Sequence, residues 1–120
     1  MKDKRNDILA RDLLGYSVAL QPGEKIMLEI RGQGTLELAK EIIRQATELG
    51  AVPFWYYNDL SLLRSWIKDA TAAQFEGFGK LHLKVMKEID AWLGLYGEDN
   101  PFDLNDIDAQ QLKNYQNLES

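Results

Sequence analysis

The sequence contains no cysteine and only one histidine, His82. Without thiols the chain can form neither disulfide bonds nor a thiolate metal site. A catalytic zinc site needs two or three imidazole or carboxylate ligands on facing positions. The positions that would face His82 on a helix instead hold Phe78, Gly79, Val85 and Met86. We therefore interpret His82 as a surface or partly buried residue, and we predict neither a catalytic residue nor a metal ligand in this chain.

Long apolar runs and an excess of basic residues are also missing. No segment approaches the ~18 apolar residues of a membrane span, and the charged N-terminus lacks the apolar core of a signal peptide. We therefore expect a cytoplasmic protein without a membrane partner. The net charge is −5. It comes from residues 97–120, which contain six acidic residues and only one basic residue, Lys113. Because no basic face is offered to phosphate, nucleic-acid binding is not expected.

The apolar content of 45% and the twelve aromatic residues are sufficient for one folded domain comprising residues 1–120. Its centre is the stretch from Lys25 to Gly50. Lys25–Ile30 is apolar on both faces, as in an interior parallel strand. An amphipathic helix follows from about residue 35 to residue 49 and ends at Gly50, a good C-cap. A second strand, Val52–Tyr57, completes a βαβ unit.

The remaining elements extend this unit. A leading helix over residues 5–20 is predicted to bury a stripe made of Leu9, Leu13, Tyr16 and Leu20. Asn58 and Asp59 can cap a third helix, Gly77 and Gly79 suggest a break, and a further helix is predicted from about residue 80 to residue 89. A third strand covers residues 91–96, and a helix is predicted from Asp108. The fold class predicted is α/β, with a small open sheet of about three parallel strands flanked by helices.

A parallel sheet of three strands leaves its edges open unless another part covers them. This suggests a part of a larger assembly, or a stand-alone assembly or dimerisation module. The aromatic run from Phe54 to Tyr57 is predicted to pack under helices on both faces of the sheet.

The loop Arg31–Thr35 carries a Gly-x-Gly turn between a strand and a helix, the position at which a dinucleotide phosphate binds. However, Glu37 stands where the third glycine of G-x-G-x-x-G would be, and its carboxylate would repel a phosphate. Gly32 and Gly34 therefore have two interpretations. They form a turn required by backbone geometry, or they bind a nucleotide in a small nucleotide-binding domain.

Glu98 and Asp99 follow the third strand, at the edge where open α/β sheets bind ligands. Paired carboxylates there could coordinate a cation or hold an amine, so these residues are substrate-proximal candidates. The segment Glu98-Asp99-Asn100-Pro101 also has an ordinary turn composition.

Three segments, in order, carry a resemblance to a known family. They are Leu20-Gln21-Pro22-Gly23-Glu24-Lys25-Ile26, Leu49-Gly50-Ala51, and Leu95-Tyr96-Gly97-Glu98-Asp99-Asn100-Pro101. From about Ile8 to Tyr115, the chain resembles the N-terminal domain of the thermophilic metallo-aminopeptidases, the family of aminopeptidase T, aminopeptidase S and the leucyl aminopeptidase type.

The resemblance implies a dimeric two-domain exopeptidase that removes N-terminal amino acids from peptides with two divalent metals, such as zinc or cobalt. It places the Glu, His, Tyr and Asp metal ligands in a C-terminal catalytic domain. The expectation is therefore that this chain is the non-catalytic N-terminal portion of such an enzyme and is inactive when isolated.

Overall fold

A computed structural model describes residues 4–97. Along the chain, α1 (Lys4–Asp12) continues as a π-helix (Leu13–Ser17), followed by β1 (Lys25–Arg31), a 3₁₀ turn (Gln33–Thr35), α2 (Leu36–Leu49), β2 (Val52–Tyr57), α3 (Leu60–Ile67), α4 (Ala72–Glu88) and β3 (Ala91–Tyr96). The three strands are parallel and form one sheet in the order β2-β1-β3. This confirms the α/β fold class with an open three-stranded sheet.

The central strand β1 is the most buried element because it has a neighbour on each side. Lys25 pairs with Val52 at the start of β2, and Ile26 pairs with Ala91 at the start of β3. Side chains alternate between the two faces of a strand, so Ile26, Leu28 and Ile30 lie on one face. All three are buried.

The helix α2 covers this face of β1. Its buried residues Ala39, Ile42 and Ala46 recur at helical spacing and pack with β1 in one core, to which Leu14 and Leu95 also belong. The helix ends at Gly50, whose φ of 92° is the left-handed conformation that glycine adopts without strain. The predicted strand–helix–strand unit is therefore present, with β1 as its centre.

The leading helix differs from the prediction. The α-helical part ends at Asp12, and Leu13–Ser17 form a π-helix in which the amide of Val18 donates to the carbonyl of Leu13. Ala10 and Leu14 are buried, whereas Leu9 and Tyr16 of the predicted stripe are exposed. Of the predicted stripe, Leu20 is buried and Leu13 packs against the core, so the prediction is wrong for Leu9 and Tyr16 only. The wider π turn changes the angular spacing from Leu13 onward, and small Ala10 suits close packing with another helix.

The described residues fall into two compact units, one containing residues 4–58 and 89–97 and the other containing residues 59–88. In the second unit, Asp59 caps α3 by accepting a hydrogen bond from the amide of Ser61, as predicted. A small core of Leu63, Ile67, Ala70 and Phe75 joins α3 and α4. The single-domain interpretation of residues 1–120 stays a prediction.

The helix α4 runs without interruption from Ala72 to Glu88, so the predicted break at Gly77 and Gly79 is wrong. A glycine costs only about 1 kcal/mol in a helix interior, and the contacts of Trp66 with the rings of Phe75 and Phe78 hold this part of α4 against α3. No helix between residues 4 and 97 is long and apolar enough to cross a membrane. The helix predicted from Asp108 lies outside the described residues.

The sequence predicted that the aromatic residues of β2 pack under helices on both faces of the sheet, and this prediction is wrong. Phe54, Trp55 and Tyr57 are exposed, and Trp55 keeps 57% of its surface accessible. The reason is position, because β2 lies at an edge of the sheet and only β1 pairs with it in the described part of the chain.

Candidate functional site

Ligands of open α/β sheets bind at the carboxyl end of the strands. In this chain two glycines lie at that end. Gly32 follows β1 with a φ of 93°, and a Cβ at this position would lie 3.0 Å from the Cα of Gly97, which follows β3. The amide of Gly97 donates to the carbonyl of Arg31 at 2.6 Å. The two loops thus meet backbone to backbone, and this contact requires a glycine at position 32.

Gly34 has no such constraint. It lies in the 3₁₀ turn, and a Cβ built on it would have no atom within 4 Å. The hydroxyl of Thr35 donates to the carbonyl of Gly32 at 2.8 Å, which fixes the turn. Glu37, in the first turn of α2, forms a salt bridge with Lys40 at 2.9 Å. The geometry gives Gly32 a structural purpose, and nucleotide binding by Gly32 and Gly34 stays a prediction.

The candidates Glu98 and Asp99 lie outside the described residues, which end at Gly97. Their proximity to substrate therefore stays a prediction. His82 is half-buried on α4, and its ring stacks on Phe78 at 6.0 Å between ring centres.

The face of the sheet opposite α2 contains a buried carboxylate for which the sequence predicted no role. Glu29 of β1 is only 5% exposed and forms a salt bridge with Arg31, with 2.6 Å between Oε1 and Nη2. Tyr96 of β3 donates its hydroxyl to Oε2 of Glu29 at 3.4 Å. The guanidinium of Arg31 also lies over the ring of Tyr96, 5.0 Å from its centre.

This arrangement depends on Gly94, because a Cβ there would lie 2.6 Å from the hydroxyl oxygen of Tyr96. The absence of a side chain lets the ring of Tyr96 fold back along β3 towards Glu29. Both carboxylate oxygens of Glu29 therefore have donors, as a buried charge requires. Through these side-chain contacts, the cluster connects the carboxyl ends of β1 and β3 on this face of the sheet.

A second polar cluster joins α1 to α2. Glu41 is 5% exposed and is held by Arg44, whose Nη2 lies 2.5 Å from Oε1 of the carboxylate. Gln45 donates to Glu41 and to Asp7 of α1, at 3.1 Å and 2.8 Å. Arg44 reaches the exposed Glu48 at 2.7 Å as well. Every charge in the cluster thus has an opposite charge or an amide beside it.

The hydrogen bonds from Arg44 lower the pKa of Glu41 from 4.5 to about 2; burial opposes this effect, and Gln45 and Asp7 add to it. The same contact raises the pKa of Arg44. Both groups are therefore charged at neutral pH, so neither is suited to exchange protons with a substrate.

Beside this cluster lies an open cleft of about 570 Å³, within the range of small-molecule pockets. Three leucines provide apolar surface, and the polar lining comes from the two helices; the lining residues are Asp7, Arg11, Leu14, Gly15, Leu20, Arg44, Gln45, Glu48 and Leu49. Because the charges in the cleft pair with one another, the lining favours neither an anion nor a cation.

The described residues do not fit the two divalent metals that the resemblance implies. Between residues 4 and 97, no group of three or more His, Asp or Glu side chains is close enough to hold a metal ion. The buried carboxylates Glu29 and Glu41 each form a salt bridge with an arginine instead.

The sequence pattern indicates the ion pair of Glu29 more clearly than that of Glu41. Glu29 interrupts an otherwise apolar strand, and Arg31 lies two residues later on the same face, so this pair could have been found from strand periodicity. Glu41 had a weaker signal. Its spacing from Arg44 is ordinary for an exposed helical pair, and its burial depends on the packing of α1, whose Asp7 is distant in sequence.

No family model matches the chain, and no curated protein matches it in sequence. Among solved structures, the chain is similar to wild-type AmpT from Thermus thermophilus, aminopeptidase T, with a TM-score of 0.64 and 21% sequence identity. The match covers 96% of this chain but only 30% of AmpT. At this identity the likeness is one of fold, and it supports the resemblance to the N-terminal region of the aminopeptidase family at that level.

Proposed function

We propose that this chain is the N-terminal, non-catalytic portion of a metal-dependent aminopeptidase that removes N-terminal amino acids from peptides. The observation that carries the proposal is the fold likeness to AmpT, which extends over 96% of this chain and 30% of that protein. The three sequence segments on which the resemblance depends lie at the start of β1, at the end of α2 and, as far as Gly97, at the end of β3. The described residues then act as a scaffold, with β1 at the centre and α2 as its cover.

In this proposal, the two divalent metals and their ligands belong to a C-terminal catalytic domain. When bound, such metals polarise the peptide carbonyl and activate water. The two buried carboxylates of the described residues, Glu29 and Glu41, are held in ion pairs with arginines, so we propose that the described residues contribute shape and rigidity. Glu98 and Asp99 are the residues for which we propose proximity to the substrate.

The proposal is tested by assaying the chain on its own. We expect no hydrolysis of leucine p-nitroanilide above the rate of the metal alone when Zn²⁺ or Co²⁺ is added. Calorimetric titration with either metal should show no tight binding. Hydrolysis that disappears in a variant of the chain, such as Glu98→Gln combined with Asp99→Asn, would contradict the proposal.

A second candidate function is a stand-alone assembly module, and the observation that favours it is the exposed aromatic edge strand β2. A third, nucleotide binding by Gly32 and Gly34, is supported only by the position of the loop between β1 and α2. Titration calorimetry with NAD and ATP distinguishes it, and an absence of heat would remove this alternative.

A further inference from the structure

The cleft beside the contact of α1 with α2 is lined by equal numbers of basic and acidic side chains. The basic ones are Arg11 and Arg44, and the acidic ones are Asp7 and Glu48. A ligand with a single charge would meet like charges there as often as opposite charges, so the lining selects no simple ion. A zwitterion has no such conflict, because each of its two ends can face a group of opposite charge.

One pair of these charges holds the two helices together. Asp7 of α1 accepts a hydrogen bond from the side chain of Gln45 at 2.8 Å. Arg44 of α2 lies against the buried carboxylate of Glu41, and its Nη2 is 3.5 Å from Oδ1 of Asp7. Replacing Asp7 or Arg44 would disturb the contact between the helices, so we assign this pair a structural purpose.

The other pair, Arg11 and Glu48, is more exposed and has hydrogen-bonding capacity left over. In the described part of the chain, Arg11 donates only to Asp7, at 3.4 Å, and its side chain is 68% exposed. Glu48 is 69% exposed and contacts Arg44 through Oε2 alone. A guanidinium has five N–H donors and can hold a carboxylate with two of them, and a carboxylate accepts hydrogen bonds from an ammonium group. Arg11 can therefore bind a ligand carboxylate, and Glu48 a ligand ammonium.

Apolar surface lies next to these charges. Leu14 and Leu20 belong to the core around β1 and also line the cleft, and Leu49 at the end of α2 is 40% exposed. A Cβ built on Gly15, another lining residue, would meet no atom within 4 Å, so the cleft is open at this position. A small ligand that carries both charges and an apolar group matches this combination.

We propose that this cleft binds a free α-amino acid with an apolar side chain, with its carboxylate at Arg11, its ammonium at Glu48 and its side chain against the leucines. The cleft is open, and exposed ion pairs contribute little, so the dissociation constant should be on the order of millimolar. An aminopeptidase releases ligands of this class, but the proposal does not rest on that function. Binding is measured on the isolated chain without hydrolysis, so a failure to bind would leave the proposed function in place.

Titration of the isotopically labelled chain with L-leucine, followed by proton–nitrogen correlation spectra, tests the site. The amide signals of Arg11, Gly15 and Leu49 should shift and saturate. Two analogues test the need for both charges, because isocaproate lacks the ammonium group of leucine and isoamylamine lacks its carboxylate. Each analogue should bind at least about threefold more weakly than leucine. No saturable shift up to about 50 mM leucine, or equal binding of either analogue, would overturn the proposal.

Three variants test whether the ligand lies in the cleft. Arg11→Gln and Glu48→Gln each remove one exposed charge, so the fold should persist while leucine binding weakens at least about threefold. Gly15→Leu fills the cleft and should abolish the saturable shifts. Gly77→Leu is its matched control, since a Cβ on Gly77 also meets no atom within 4 Å and the residue lies on α4, outside the lining. This control should bind leucine like the wild type.

Circular dichroism shows that each variant is folded before its binding is compared. Leucine binding by Gly15→Leu as tight as that by Gly77→Leu would overturn the cleft as the binding site. Binding unchanged in both Arg11→Gln and Glu48→Gln would overturn the recognition of the two ligand charges by these residues.

Discussion

The guanidinium of Arg44 lies against the buried carboxylate of Glu41, with 2.5 Å between Nη2 and Oε1. Both residues belong to α2, and the pair is extended towards α1 by Gln45, which donates to Asp7. The contact between the two helices thus has a charged group at its centre as well as the apolar packing of Ala10 and Leu14.

This pair predicts a specific dependence of stability on pH. The carboxyl of Glu41 has a pKa of about 2 in the folded chain, against an ordinary value of 4.5. Because the folded pKa is the lower one, the stabilisation is complete above about pH 4.5 and is lost as the pH falls towards 2. Glu41→Gln should therefore have a lower melting temperature at neutral pH, and a melting temperature that falls less than that of the wild type between pH 5 and pH 2.

Thermal unfolding followed by circular dichroism measures this effect. Glu48→Gln is the matched control, since Glu48 also binds Arg44 but its side chain is 69% exposed. This variant should unfold almost like the wild type. A wild-type pH profile retained by Glu41→Gln would show that the Glu41–Arg44 pair does not determine the acid sensitivity.

The two glycines after β1 should respond differently to the same substitution. Gly32→Ala places a Cβ 3.0 Å from the backbone of Gly97 at a positive φ, and we expect a loss of about 1–3 kcal/mol in the free energy of unfolding. Gly34→Ala places its Cβ in open space and should change the stability by less than about 0.5 kcal/mol. Urea titration of both variants provides the comparison, and equal effects would contradict the backbone contact.

The core under α2 should be sensitive to a cavity. Ile42 is fully buried between α2 and β1, so Ile42→Ala should cost about 2–5 kcal/mol in the free energy of unfolding. Leu49→Ala, at the exposed end of the same helix, should cost clearly less. If urea denaturation gave similar losses for both variants, α2 would not cover β1 in the manner described.

The sequence was sufficient to predict the three strands and α2, because each has a strong local pattern. The strands β2 and β3 have the predicted bounds, and β1 extends one residue further, to Arg31. The apolar period of α2 and the glycine at its end determine this helix within a residue or so. Local periodicity and capping explain this success.

The errors concern features that depend on distant contacts. The helix α1 carries two apolar sides, and the choice of Ala10 and Leu14 over Leu9 and Tyr16 depends on packing with α2. The burial of Glu41 depends on the same contact. The exposure of Trp55 depends on the order of strands in the sheet, which the aromatic composition of β2 does not determine.

The central claim, that this chain is the N-terminal portion of an aminopeptidase, is tested most directly by a chimera. The region of AmpT equivalent to this chain would be replaced by residues 1–120, and the hydrolysis of leucine p-nitroanilide would be measured with the divalent metal required by the parent enzyme. We predict that the folded chimera hydrolyses the substrate, whereas the isolated chain does not. A chimera that unfolds as cooperatively as AmpT but shows no hydrolysis would contradict the claim.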